Sequence, residues 1–135
     1  MLGLEIFTPA KSLSSVDTAK EVVMSLEAGE NISALKLVYV GADNKAYLAK
    51  HNGTYEQALA VAMSKFAVGT GLTGQFLVFG KITDAFFAYA GTQELFLTTF
   101  GNSSNVAPVT GHVTAIGQSL GVGSIFLNVK KTVVL

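Results

Sequence analysis

The stretch Gly111–Leu135, GHVTAIGQSLGVGSIFLNVKKTVVL, decides how the rest of the chain is read. Two apolar alternating runs flank a glycine pair: Val113, Ala115 and Gly117 before it, Ile125, Leu127 and Val129 after it. Alternate residues of a strand point to opposite faces, so each run predicts one apolar face. Gly121-Val122-Gly123-Ser124 lies between them, and glycine accepts the positive φ that tight hairpin turns need. The stretch therefore predicts a closing β-hairpin.

Working outward, the other segments repeat this grammar. Glu94–Thr99 reads as a strand, Gly101–Asn105 as a polar loop and Val106–Val109 as an extended link through Pro108. Gln75–Phe79 is apolar and β-rich, with Ile82 as its end. Ala60–Phe66 alternates as a strand. Thr54-x-x-Gln57 before it is a capping box, which predicts a short helix over Tyr55–Ala60. Ile32–Val40 is the clearest strand, with Leu35, Leu37 and Tyr39 on one face and Lys36, Val38 and Val40 on the other. Gly41-Ala42-Asp43-Asn44 is turn chemistry, and Lys45–Ala49 returns as its hairpin partner. Ser15–Gly29 fits two periods: Thr18-x-x-Glu21 matches a capping box, while Val22, Met24 and Leu26 alternate. The alternation favours a strand over Val22–Leu26. Many short, evenly spaced strands predict an all-β fold, a small antiparallel β-barrel or sandwich with at most one short helix.

A length of 135 residues predicts one domain with its own core, placed at 21–135. Residues 1–20 stand apart, because Leu4, Ile6 and Phe7 are apolar but no period follows them. They read as an extended N-terminal arm lying on a neighbour, a frayed end, or a short added strand. The start lacks the basic region and continuous apolar core of a signal peptide, and no run is long enough for a membrane-spanning helix.

Half of the residues are hydrophobic and only 13% are charged, against roughly a quarter in ordinary soluble domains. That deficit predicts a surface partly covered by companions. The formal net charge is zero, so little long-range repulsion keeps copies apart. All nine basic residues are lysines, and they are dispersed. Without arginine forks or a basic stripe, nucleic acid is not an expected partner. The absence of cysteine excludes disulfides and thiolate chemistry.

Gly69-Thr70-Gly71-Leu72-Thr73-Gly74 spells G-x-G-x-x-G, but strand material follows it where a dinucleotide site needs a helix. A turn is expected there, and no cofactor. His51 and His112 lack metal-ligand spacing and read as surface or edge residues, so no metal is expected. Asp43, Glu56, Asp84 and Glu94 are scattered, and no G-x-S-x-G elbow occurs. No catalytic residues are expected, and the chain reads as a non-enzyme. Phe86-Phe87-x-Tyr89 is denser in aromatics than one core face absorbs, since strand neighbours point oppositely. Phe86, Phe87 and Tyr89 are therefore candidate assembly contacts, together with Leu4, Ile6 and Phe7.

The order of these motifs resembles a small β-barrel domain of tailed-phage structural proteins, of the capsid decoration (cement) and head- or tail-fibre type. Gly29-Glu30-Asn31-Ile32-Ser33-Ala34-Leu35 resembles the family's G-x-N-I-S-A-hydrophobic opening, continued through Val40. Asp43-Asn44-Lys45-Ala46-Tyr47-Leu48-Ala49 is similar to its G-K-V-Y-x-A return. Glu56–Ser64 resembles the family's short helical turn leading into the next strand. Glu94-Leu95-Phe96-Leu97 with Gly101 resembles its L-F-L…G hairpin. Gly111–Val129 resembles its closing G…G-x-A-L…I-x-I-x pattern. The likeness covers residues 22–135. Ser119 stands where the family often has alanine before Leu120, and Lys130-Lys131-Thr132 replaces the usual proline.

The resemblance implies a virion component on the capsid surface, assembled in the host cytoplasm. Its implied partners are the major capsid protein and itself, as a homotrimer. A tail-fibre, head-fibre or baseplate module is the neighbouring reading. A carbohydrate-binding β-domain, using Phe87 and Tyr89 near Thr92 and Gln93, is a third. Deleting residues 1–20 is expected to abolish binding to capsid shells while leaving the circular-dichroism spectrum and melting of the barrel unchanged. A truncated protein that decorates shells equally well would remove the arm from the mechanism.

Overall fold

The computed structural model describes residues 21–135, so the N-terminal arm and its Leu4, Ile6 and Phe7 lie outside the described residues. The strands are β1 (Val22–Glu27), β2 (Leu37–Val40), β3 (Ala46–Leu48), β4 (Ala62–Ser64), β5 (Thr73–Thr83) and β6 (Glu94–Leu97). After them come β7 (Ser103–Ser104), β8 (His112–Val113), β9 (Ala115–Ser119), β10 (Ser124–Asn128) and β11 (Val133–Val134). The single helix among the described residues, α1 (Tyr55–Ala58), follows β3. The all-β expectation holds: one curled antiparallel sheet forms a half-barrel.

Among the described residues nine strands form that sheet, in the order β3-β2-β4-β5-β10-β9-β6-β7, with β1 also paired to β5. At eleven residues, β5 is the longest strand and the one on which the sheet forks. Its first part pairs with β1, Met24 opposite Phe76 and Leu26 opposite Gly74. Its last part pairs with β10, Ile125 opposite Ile82 and Leu127 opposite Gly80. β4 joins it in the middle through Met63↔Leu77 and Ser64↔Phe76. Past β1, Ala28 bridges Ala46 of β3 in parallel sense, which curls β1, β5, β4, β2 and β3 back on themselves.

Strand alternation then sorts the side chains into two cores. Leu37, Met63 and Leu77 point into the larger one, with Leu95, Leu97, Ile116, Ile125 and Leu127 from the other arm of the sheet. Their neighbours Val38, Ala62 and Phe76 point into the smaller one, with Ala28, Ile32 and Val68. At roughly 1.5–3 kcal/mol for each fully buried large apolar side chain, both clusters are major sources of stability.

Among the described residues, four buried hydroxyls tie irregular backbone to these cores. Thr114 donates to the Ala58 carbonyl at the end of α1 at 2.9 Å and lies 2.8 Å from the Thr132 hydroxyl. Ser64 donates to Ser33 O at 2.7 Å and accepts from Lys36 N at 3.0 Å. Ser119 donates to Gly91 O at 2.7 Å and accepts from Gln93 N at 2.9 Å. Buried carbonyls without partners would cost about 1–3 kcal/mol each, so these residues set where the loops can run.

Several expected elements shift. The Ile32–Val40 strand is shorter than its periodicity, because Leu35 takes a left-handed φ of 64° and pairing restarts at Leu37. Ile32 instead makes an isolated bridge to Val68. β5 starts at Thr73, two residues before the expected Gln75, and ends at Thr83, one past the expected Ile82. Part of the polar loop, Ser103–Ser104, pairs with Leu97 and Phe96. The capping box at Thr54 forms in full, with Gln57 N bonded to Thr54 Oγ1 and Thr54 N to Gln57 Oε1.

The closing hairpin forms as β9–β10, Gly117 opposite Leu127 and Ser119 opposite Ile125. One of its expected faces is reversed in part. Ile125 and Leu127 face the core; in the other arm Thr114 and Ile116 are buried in place of Val113 and Ala115, while Gly117, opposite Leu127 and Leu95, keeps the expected face. A register shift between Ala115 and Gly117 against β6 interrupts the alternation there. Val113 belongs to a separate two-stranded ribbon, opposite Val133. At Gly117 the φ is +144°, and a Cβ would meet Phe126 O at 2.0 Å. Gly117→Ala is therefore expected to destabilise the fold by at least about 2 kcal/mol in urea melts. Gly123→Ala, with φ +95° but open space around the site, is expected to cost only about 1 kcal/mol. Equal costs would mean that the close approach to Phe126 does not constrain the hairpin.

Candidate functional site

The aromatic segment after β5 is irregular and anchored from both sides. Asp84 Oδ1 accepts from Phe86 N at 2.8 Å, an Asx turn that sets the segment's direction. Asp84 N donates to Gly123 O at 2.9 Å, Gly123 N to Phe87 O at 2.7 Å, and Gly121 N to Gly91 O at 3.0 Å. The loop over residues 84–91 and the β9–β10 turn thus form one hydrogen-bonded layer at the end of the sheet. The side chains it carries outward are apolar: Phe86 is 65% exposed and Val122 74%, with Leu120 also exposed.

The three described assembly candidates separate here. Phe86 is on the surface. Phe87 is 1% exposed and belongs to the larger core, so as placed it offers nothing to a partner. The irregular backbone lets consecutive aromatics turn apart without strand alternation, their rings 5.8 Å apart and near perpendicular. Tyr89 packs against the same core, with its hydroxyl 3.0 Å from Ser103 Oγ. Leu35, Phe86, Phe87, Tyr89, Asn102 and Ser103 border a cleft of about 290 Å³. With Phe87 buried, the Phe87–Tyr89–Thr92–Gln93 arrangement does not form an exposed aromatic site.

The titratable residues are also placed. Gly69–Gly74 makes a turn, Leu72 N to Gly69 O at 3.0 Å, and runs into β5 as the residues predict. His51 and His112 are half-buried and unexpectedly adjacent: His112 N and Nδ1 each lie 3.0 Å from His51 O. His51 Nδ1 is 3.2 Å from Thr110 O, and the Tyr55 ring lies 5.8 Å from that of His112. No spacing along the chain signals this pairing, which β8 creates. Among the described residues no group of three or more His, Cys, Asp or Glu side chains could hold a metal, and no helix is long and apolar enough to cross a membrane.

A second concave region lies on the outer face of β6, β9 and β10, with a volume of about 370 Å³. Ala115 and Gly117 line it, together with Glu94, Gln118, Phe126 and Asn128. Alternation hides it by placing Ala115 inward, whereas Ala115 pairs with the outer-face Phe96. The signal available was size: Ile116 fills a core position that alanine would leave empty.

The chain matches no protein-family model, and no curated protein or solved structure matches it significantly. The site therefore has to be read from its own chemistry.

One ionisable pair is perturbed at the β2–β3 hairpin. Tyr47 donates its hydroxyl to Asp43 Oδ2, and its ring stacks on Tyr39 at 5.7 Å. That hydrogen bond holds the Asp43 carboxyl below its usual value and pushes the Tyr47 phenol up to about 12. Because the Tyr47 value is raised on folding, its stabilising share is complete below pH 10 and fades as pH climbs towards 12. Asp43, lowered on folding, contributes above its unfolded value and loses that share as acid protonates it. Ultraviolet titration is expected to find one of the four tyrosines ionising near pH 12. In Asp43→Asn that transition should move back towards 10. An unchanged titration would mean that the bond does not persist in solution.

Proposed function

We propose that this chain is a non-enzymatic structural protein of a tailed-phage virion, a decoration or cement protein that binds the head shell as a homotrimer. The reading rests on the motif resemblance over residues 22–135 and on one observation in particular: the apolar end formed by Phe86, Leu120 and Val122. These side chains stand in water on a layer whose backbone is already hydrogen-bonded. Docking such a layer costs little ordering entropy, and each Å² of apolar surface removed from water contributes roughly 25 cal/mol. Exposed apolar patches of this kind mark surfaces that are covered on assembly. A small charged fraction fits a surface shared with the major capsid protein and sister copies. Repetition over a symmetric shell then multiplies a modest contact into firm retention.

The test is localisation followed by binding. Immunogold labelling of the particles encoded by the same genome is expected on the head. Label confined to the tail would replace this reading with a fibre or baseplate module, and unlabelled particles would end both. In cosedimentation with shells lacking the protein, the Phe86→Ser/Val122→Ser double variant is expected to bind at least tenfold more weakly while its melting curve stays close to wild type. Equal binding by a folded double variant would show that the apolar end is not the docking surface.

A further inference from the structure

The trough on the outer sheet face has its own chemistry. Strand register puts Glu94 opposite Gln118, Gln118 opposite Phe126, and Phe126 opposite Lys81. Directly paired residues share a face, so carboxylate, amide, phenyl ring and ammonium form one row across four strands. Asn128, two residues beyond Phe126, returns to the same face. Beside this row the floor drops, because β9 offers there only the small side chain of Ala115 and the bare backbone of Gly117, whose register partners Leu127 and Leu95 face the core. At Gly117 the backbone stays bare, because a Cβ there would meet the Phe126 carbonyl of the paired strand. Phe79 packs edge-on against Phe126 with centroids 5.1 Å apart, which holds that ring in place.

We propose that this trough binds a neutral oligosaccharide, one sugar ring lying against Phe126 with its hydroxyls on Glu94, Gln118 and Asn128. The chemistry selects this class. A pyranose has an apolar C–H face suited to an aromatic ring and a rim of vicinal hydroxyls. Planar carboxylate and amide groups pair with such hydroxyls, because each offers two adjacent hydrogen-bonding atoms. A volume of about 370 Å³ admits one or two sugar rings. Glu94 and Lys130, one carboxylate and one ammonium, leave the lining without net charge, which fits a neutral ligand.

The test uses the full chain, labelled with ¹⁵N and titrated separately with maltohexaose, cellohexaose and chitohexaose to 10 mM. At least one is expected to shift the amides of Gly117, Gln118, Phe126 and Asn128 while leaving those of β4 unmoved, with a dissociation constant of about 1 mM or below. Gln118→Ala and Glu94→Gln, both at exposed positions, are expected to weaken that binding at least tenfold each without changing the melting curve. The proposal is overturned if none of the three sugars shifts these amides, if the shifts fall elsewhere, or if both variants bind as wild type. Shell binding should be unaffected by Gln118→Ala, so this site and the decoration role succeed or fail separately.

Discussion

Everything in this fold depends on β5 belonging to two cores at once. Phe76 and Leu77 are consecutive, so alternation sends one into each apolar cluster. A slip of one residue would exchange them and turn both sets of partners the wrong way. The strand is pinned against that slip from several directions: Met24 and Ser64 flank Phe76, Val23 and Met63 flank Leu77, and β10 fixes its far end. Gly80, at φ +132°, lies against the Glu21 backbone near the point where pairing passes from β1 to β10. The long strand is therefore what allows a chain of short strands to share one register.

The remaining strands are too short to hold themselves. β4 has three residues, and β7 and β8 have two each. Their stability comes from long-range side-chain hydrogen bonds as much as from ladders. The Thr114–Thr132–Ala58 cluster joins α1, the β8–β9 region and the C-terminal segment across more than fifty positions of sequence. Each of these groups is buried, where a hydrogen bond is strong and a missing partner is costly. The fold is thus an apolar frame whose loop paths are chosen by a few hydroxyls.

The legibility of the sequence follows from the same division. Period-two alternation located β1, β2, β5, β6 and the closing hairpin, and turn chemistry located the breaks at Gly41–Asn44 and Gly121–Gly123. Both signals are local. What alternation could not show was its own interruption. Leu35 adopts a left-handed φ that leucine rarely takes, held there by Leu35 N to Ser64 O at 2.8 Å, a contact with a residue 29 positions away. The register shift between Ala115 and Gly117 splits β9 into two phases for a similar reason, since it depends on the partner strand β6: Ala115 faces outward, Gly117 and Ser119 inward. The aromatic cluster misled in the other direction. Density was counted as if Phe86 and Phe87 lay on a strand, whereas an Asx turn at Asp84 frees them from alternation. The trough is hidden by that same shift, because plain alternation puts Ala115 of its floor in the core.

The two outer regions adjoin where Gln118 and Leu120 lie two residues apart, and they separate along β10. The apolar end is made by the turn that closes β9 and β10, while the trough lies along the faces of those strands. Asn128 is four residues beyond Ser124, roughly 13 Å at about 3.3 Å per residue. Docking through the turn would leave the far part of the sheet face in water. The rigidity that holds the apolar end in place also reaches the trough, because β10 pairs continuously with β5 from Ser124 to Asn128. A molecule with this geometry can be held by its tip and still present a polar face outward. That separation is a property of the hairpin itself: the tip points along the strands, and the side chains stand perpendicular to them.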